Sequence, residues 1–388
     1  VQQTRKLIRQ GRIAAIKGLG GYLLACDAHN PHAVQALRSR KKRSQKPFAL
    51  MAFSSEIIQN YCTVEDGELQ LLQSRQMPIV LLAKKSTSTL PQEIAPTQHN
   101  FGFMLPYTPL HLLLCEPQQG YPDVLVMTSA NISDEPILYQ DAEMNRLFEL
   151  ADVVLTHNRP IHIRTDDSVV RFFASTPVPV RRSRGYAPEP VLLPDPQPET
   201  LACGALLKNT ITLTRSNRAF VSPYIGDLEN LDTYESFKST IAHFENLYQI
   251  NPQVVACDLH PDFLSSQFAQ EYALQKQLPL FRVQHHHAHL AACLAENNWR
   301  GDQAIGLCYD GTGLGDDDAI WGGEVLVGGY TDCRREAFLE YMPLPGGDAA
   351  IHKPYRIALA YLLALGLPLD RSLPPVAYCP AVELSVLP

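Results

Sequence analysis

The nine cysteines of this 388-residue sequence stand singly, at positions 26, 62, 115, 203, 257, 293, 308, 333 and 379, and no C-x-x-C pair occurs. That spacing excludes a zinc-finger framework and a disulfide scaffold, and it predicts a chain kept reduced in the cytoplasm. No stretch approaches the roughly 18 uninterrupted apolar residues of a membrane span. The first residues, Val1-Gln-Gln-Thr-Arg-Lys6, lack an initiator methionine and the apolar core of a secretion signal, which predicts the middle of a longer protein. No internal repeat of fixed period is found. With 45% apolar and 19% charged residues, disordered, collagenous and coiled-coil chains are excluded. A net charge of −7 argues against a general nucleic-acid binder.

The positive charge that is present is gathered. Arg38, Arg40, Lys41, Lys42, Arg43 and Lys46 form a run without an acid, and a second knot follows at Arg181, Arg182 and Arg184. A basic run is ordinarily a solvated helix face or a loose arm. This one is wedged between an apolar strand and helix and the strand candidate 47–53, a placement that aims it at a small polyanion.

Short apolar runs alternate with helical patterns through the first half. Strands are predicted at 13–16, 49–53, 77–83, 124–127 and 151–155, with a helix at 33–40, the rhythm of an α/β or α+β domain. Proline and glutamate accumulate at 188–199 and predict a linker. Beyond it, Thr210–Thr214 and Ala219–Ser222 flank a turn-like 215–218 and predict a β-meander. Helices at 234–248 and 263–275 then alternate with strands at 253–257, 280–283 and 304–308. The tail after Leu367 is proline-rich and weakly patterned.

Four constellations could carry chemistry. Lys17-Gly-Leu-Gly-Gly21 follows a strand; glycines admit an anion to backbone N–H groups and the lysine adds charge, while a plain turn is the competing reading. Thr128-Ser-Ala-Asn131 ends a strand with three small hydrogen-bonding side chains, which suit phosphates or an ordinary helix cap. In Gln284-His-His-His-Ala-His289, His285 and His289 stand four apart and share one helix face, so both can close on one metal ion. Solvated or core histidines are the alternative. Asp310-Gly-Thr-Gly-Leu-Gly315 ends the next strand; Asp310 can supply a third ligand, and Gly311 and Gly313 can admit a phosphate chain. Trp321-Gly-Gly-Glu324 and Pro345-Gly-Gly-Asp348 read as structural turns.

Taken together these motifs resemble the HypF family of hydrogenase-maturation carbamoyltransferases. The matching pieces run in order along nearly the whole chain: Lys17-Gly-Leu-Gly-Gly21, Cys26-Asp-Ala28, Leu37–Arg43 with Lys46-Pro47, Met104-Leu-Pro106, Thr128–Asn131, His157-Asn-Arg159, Asp166–Arg171 and Arg181–Tyr186. They continue through Cys203–Thr210, Gly226-Asp-Leu228, His285–His289, Asp310–Gly315, Trp321–Glu324 and Pro345–Asp348. The resemblance implies an α/β (α+β) chain. A YrdC-like twisted-sheet domain would occupy 1–190 and a linker 191–200. A Kae1-like domain of the actin/sugar-kinase class, incomplete at its C-terminus, would fill 201–388.

The resemblance further implies that the first domain makes carbamoyl adenylate from ATP, with Mg2+, and carbamate. The second would move the carbamoyl group to the C-terminal cysteine of the partner HypE, toward the cyanide ligand of the nickel–iron centre. Lys17, Arg40 and Arg43 are then the expected catalytic cations. Lys41, Lys46, Arg182 and Arg184 complete the phosphate cradle with Thr128, Ser129 and Asn131, and Gly311 and Gly313 belong to the nucleotide set. His285, His289 and Asp310 would hold one iron or zinc ion.

The resemblance leads to the expectation that the family's acylphosphatase-like and zinc-finger segments, and its second Kae1-like lobe, are missing here. A fragment is therefore expected, limited to adenylate chemistry, weak metal binding and no completed transfer. The nearest rival is threonylcarbamoyl-adenylate synthesis for tRNA, which uses the same domain types; the domain order, the triple-His run and the arginines at 181–184 stand against it. An antibiotic O-carbamoyltransferase joins the folds in the opposite order. A non-catalytic maturation scaffold is the third alternative.

Overall fold

The computed structural model describes residues 1–132, 135–347 and 349–385, which fall into two units, Val1–Arg282 and Val283–Pro388. Among the described residues the first unit holds a nine-stranded and a five-stranded sheet. The strands of the larger sheet are β1 (Ala14–Lys17), β2 (Tyr22–Asp27), β3 (Ala49–Ala52), β4 (Ile79–Ala83), β5 (Asn100–Met104), β6 (Val124–Ser129), β7 (Val153–Leu155), β8 (Val169–Phe173) and β9 (Thr176–Arg181). Their order is β7-β1-β2-β6-β3-β5-β4-β8-β9, mixed parallel and antiparallel.

The nearly unbroken apolar runs of these strands have a structural reason. Successive side chains point to opposite faces. Thus Tyr22, Leu24 and Cys26 enter one buried cluster while Leu23 and Ala25 enter another on the far face. Leu50 and Ala52 against Met51, and Val124 and Val126 against Leu125 and Met127, divide in the same way. A sheet covered on both faces needs continuous hydrophobicity.

The second sheet is built from β10 (Val191–Gln197), β11 (Thr200–Ala202), β12 (Thr212–Val221), β13 (Val254–Asp258) and β14 (Leu280–Val283), ordered β10-β12-β11-β13-β14. Two sequence expectations are corrected here. Within the expected linker 191–200, Val191–Gln197 is strand and Thr200 opens the next one. β10 lies at the sheet edge, where Pro194 and Pro196 need not donate to a neighbour. The predicted meander is one continuous strand; the turn-like 215–218 is a kink at Ser216, whose φ of 52° is absorbed by a register shift against β10. The helix Leu231–Tyr248 starts under an Asn230 cap that accepts from the N–H groups of Asp232 and Thr233, and it buries Phe237, Ile241 and Phe244.

The second unit carries a three-stranded antiparallel sheet, β15 (Ala304–Leu314), β16 (Ile320–Gly328) and β17 (Cys333–Phe338). The helix His285–Glu296 packs on it through Leu290 and Leu294 against Cys308, Trp321 and Leu326. The expected break at Asp310 is absent. β15 runs on to Leu314 across a register shift between Tyr309 and Gly313, and Trp321–Glu324 is strand rather than turn. Asp348 of the Pro345–Asp348 motif lies outside the described residues.

Candidate functional site

The basic segment is built by a well-stopped helix. Pro31–Arg40 begins with Pro31 behind Asn30, whose side chain accepts from the N–H groups of His32 and Ala33. It ends at Lys41, and Lys42 takes a left-handed φ of 50° that turns the chain away. Buried Arg38 then shapes the following loop by donating to the carbonyls of Arg43 (3.1 Å), Ser44 (3.3 Å) and Lys46 (3.2 Å). Arg43 donates to the carbonyl of Pro47 at 2.7 Å and to Thr128 Oγ1 at 3.3 Å.

This loop forms one wall of a cavity of about 370 Å3 in the first unit. Lys41, Arg43, Lys46, Thr128, Ser129 and Asn131 all line it. Lys41 is buried, and its Nζ donates to the carbonyls of Ser129 (2.5 Å) and Asn131 (2.6 Å) and to Asn131 Oδ1 (2.9 Å). Burial, with Arg43 adding to it, pulls the Lys41 pKa down to about 7. Arg164, Asp166, Arg181, Tyr224 and Asp227 also line the cavity. Arg181 donates to Asp166 Oδ2 at 2.8 Å and lies over the Tyr224 ring.

In the second unit His285, His289 and Asp310 converge, their ligand atoms all within 4.8 Å of one another. Nε2 of His285 and of His289 stand 3.0 and 3.5 Å from Asp310 Oδ2, and 3.2 Å from each other. Hydrogen bonds from His285 and His289 hold the Asp310 carboxyl well below the usual carboxylate range. Two imidazole nitrogens facing one ionised oxygen form a donor set that a divalent transition metal fits. His286 is buried instead, and burial, then His285, lower its pKa. His287 Nε2 lies 2.9 Å from the Gly329 carbonyl. Gly313 is needed for close packing, since a Cβ there would sit 2.5 Å from Cε1 of His286.

Comparison with known proteins places this geometry. Residues 6–183 match the family described as Telomere recombination, 195–296 the HypF Kae1-like domain, and 306–382 the second subdomain of the carbamoyltransferase Kae1-like domain. Carbamoyltransferase HypF2 of Cupriavidus necator is 45% identical over 94% of this chain and 47% of that protein. Carbamoyltransferase HypF of Synechocystis is 44% identical over 92% of the chain and 46% of that protein. A full-length HypF crystallised in a phosphate- and nucleotide-bound form superimposes with a TM-score of 0.90 at 42% identity, over 99% of this chain and 60% of that one. The chain belongs to the HypF family.

It spans about half the length of the curated HypF relatives it matches. The HypF from T. kodakarensis gives a TM-score of 0.87 at 40% identity, covering 93% of this chain and 47% of that one. The match at 306–382 corrects the expectation that the second Kae1-like subdomain has no counterpart here.

The remaining expected site residues lie elsewhere. Lys17 is fully buried, its Nζ 2.7 Å from Asp141 and 3.2 Å from the His157 carbonyl. The glycines after it close a tight turn: a Cβ at Gly20 would meet the Thr165 carbonyl at 2.2 Å, and one at Gly21 would meet Ile137 at 2.5 Å. Arg40 bridges to Asp152 at 2.8 Å. Arg182 donates to the carbonyls of Val221, Tyr186 and Glu189. Arg184 stacks on Tyr107 and pairs with Asp167 at 2.7 Å. None of these four lines the cavity. Gly311 and Gly313 lie in β15 of the second unit.

Sequence reasoning missed Arg164, Asp166, Arg181, Tyr224 and Asp227 as lining residues. Alternation was the available signal for Arg181: in an extended chain, 182 and 184 point away from the side that 181 faces. Asp166 and Asp227 stood in motifs that matched HypF without being read as site residues. Arg164 stood in none.

Proposed function

We propose that this chain performs the ATP-dependent carbamoyl chemistry of nickel–iron hydrogenase maturation. The reading rests on one observation above the others: Lys41, Arg43 and Lys46 share a cavity wall with Thr128, Ser129 and Asn131. Cations and hydroxyls so gathered suit the phosphates of ATP, brought in with Mg2+. In the first step a carbamate oxygen attacks the α-phosphorus. The bond from that phosphorus to the oxygen bridging to the β-phosphate breaks, and pyrophosphate leaves with the electron pair. Such a displacement is catalysed by positioning and charge neutralisation, which these residues supply. The relative crystallised with phosphate and nucleotide supports a nucleotide here.

In the second step the thiolate of the C-terminal cysteine of HypE attacks the carbamoyl carbon, and the bond to AMP oxygen breaks. His285, His289 and Asp310 would hold one iron or zinc ion, whose chemistry is Lewis-acid polarisation of an oxygen. Among the described residues no helix is long and apolar enough to cross a membrane. The unpaired cysteines support a reducing cytoplasmic setting for the reaction.

The test is ATP–pyrophosphate exchange with carbamate, bicarbonate or threonine supplied in turn. Exchange dependent on carbamate is the expected result. A requirement for threonine would move the chain to tRNA modification, and no exchange under any condition would contradict adenylate formation.

A further inference from the structure

Arg164 is a cavity-lining cation whose chemistry the adenylate reading leaves unused. Its Nε is shut off from solvent without a hydrogen-bond partner, and among the described residues the side chain forms no ion pair. Its guanidinium lies over the Tyr139 ring, 5.0 Å from the centroid. Acids are close in the chain and in space, yet each is claimed by another arginine. Arg146 takes Glu135 at 2.9 Å and Glu143 and Asp232 at 3.4 Å. Asp166 belongs to Arg181 and Asp167 to Arg184. A guanidinium whose Nε is closed to water and which has no ion-pair partner among the described residues is only partly satisfied, and an anion entering from the cavity would complete its bonding.

The kind of anion follows from the surroundings. The basic loop at 41–46 comes from a different part of the chain and supplies the charge for phosphates. The cavity also presents Glu135, Asp166, Asp167 and Asp227, which repel a polyphosphate far more than a monoanion. A carbamate has two coplanar oxygens matching the guanidinium fork and an amino group that a nearby carboxylate can accept. We propose that Arg164 grips the planar carbamate co-substrate beside the nucleotide, as a specificity-determining residue of the adenylation site. This assignment rests on the adenylate reading above.

Calorimetric binding to the 388-residue chain tests it, with three probes: α,β-methylene-ATP, adenosine 5′-sulfamate, and the same sulfamate carrying a carbamoyl group. The native chain is expected to prefer the carbamoylated sulfamate over the bare one by about tenfold or more. Arg164→Ala should erase that preference while leaving affinity for α,β-methylene-ATP within about threefold, and added guanidinium ion should restore part of it. Arg164→Lys, which keeps the charge without the fork, should fall between. A preference retained in Arg164→Ala overturns the assignment alone. Equal loss for all three probes would make Arg164 a general phosphate contact and also overturn it. Absence of nucleotide binding by the native chain would remove the adenylate reading and this assignment with it.

Discussion

Nζ of Lys41 lies 2.5 Å from the carbonyl oxygen of Ser129, tying the end of the basic helix to the end of β6. That bond fixes one corner of the cavity. It also buries an amine whose proton is weakly held, since burial pulls its pKa from 10.5 to about 7. Between those values the unfolded chain carries more protons than the native one. This group therefore burdens stability below about pH 7, and the burden lifts as the pH rises through that window.

A polyanion bound beside Lys41 should restore the proton. At pH 8, binding of α,β-methylene-ATP is expected to take up about one proton, seen as binding heat that varies with buffer ionisation enthalpy. Lys41→Met should abolish the uptake. Binding without proton uptake in the native chain would contradict the assignment of Lys41 to the phosphate wall.

Arg43 and Lys17 should separate cleanly. Arg43→Ala is expected to weaken α,β-methylene-ATP binding about tenfold or more, because a cavity cation is lost. Lys17→Met replaces a buried amine by an apolar stem of similar length and leaves Asp141, whose side chain is mostly exposed, to water; losing one member of the pair is expected to lower stability and not to touch the cavity. Nucleotide affinity should stay within about threefold, and any effect should show in thermal unfolding instead. A large affinity loss in Lys17→Met would return Lys17 to the site.

His285→Ala and Asp310→Asn should each lower bound iron or zinc by at least about tenfold, measured by elemental analysis after metal loading. His287→Ala serves as the contrast, because its ring faces the Gly329 carbonyl and not the cluster. Equal metal content in all three variants would make the cluster structural.

Gly313→Ala and Gly311→Ala should differ although they sit two residues apart. A Cβ at 313 meets His286 at 2.5 Å and His285 at 3.1 Å, whereas one at 311 has nothing within 4 Å. The first is expected to cost about 1–3 kcal/mol and to reduce metal retention, the second under about 0.5 kcal/mol. Denaturant unfolding of both variants measures this, and matched stabilities would contradict the packing described for Gly313.

The strands β1, β3, β4, β6, β7, β13, β14 and the start of β15, with the helices Pro31–Arg40, Leu231–Tyr248 and Leu264–Lys276, were legible from apolar periodicity, because burial on two faces of a sheet or one face of a helix is written in neighbouring residues. The pairing of His285 with His289 was legible for the same reason, being one turn of helix. Sheet edges were not: a proline-rich segment looks like a linker until its place at the border of the second sheet is known. Lys41, Arg43 and Lys46 line the cavity as expected, but that Lys17, Arg40, Arg182 and Arg184 do not was decided by tertiary structure. A charged side chain goes where its counter-ion is, and those lie far along the chain; Lys17 meets Asp141 across 124 residues, and Arg184 meets the carbonyls of Gln76 and Met77 across more than a hundred. Local composition gathered the positive charge, and long-range pairing decided which part of it was left for a ligand.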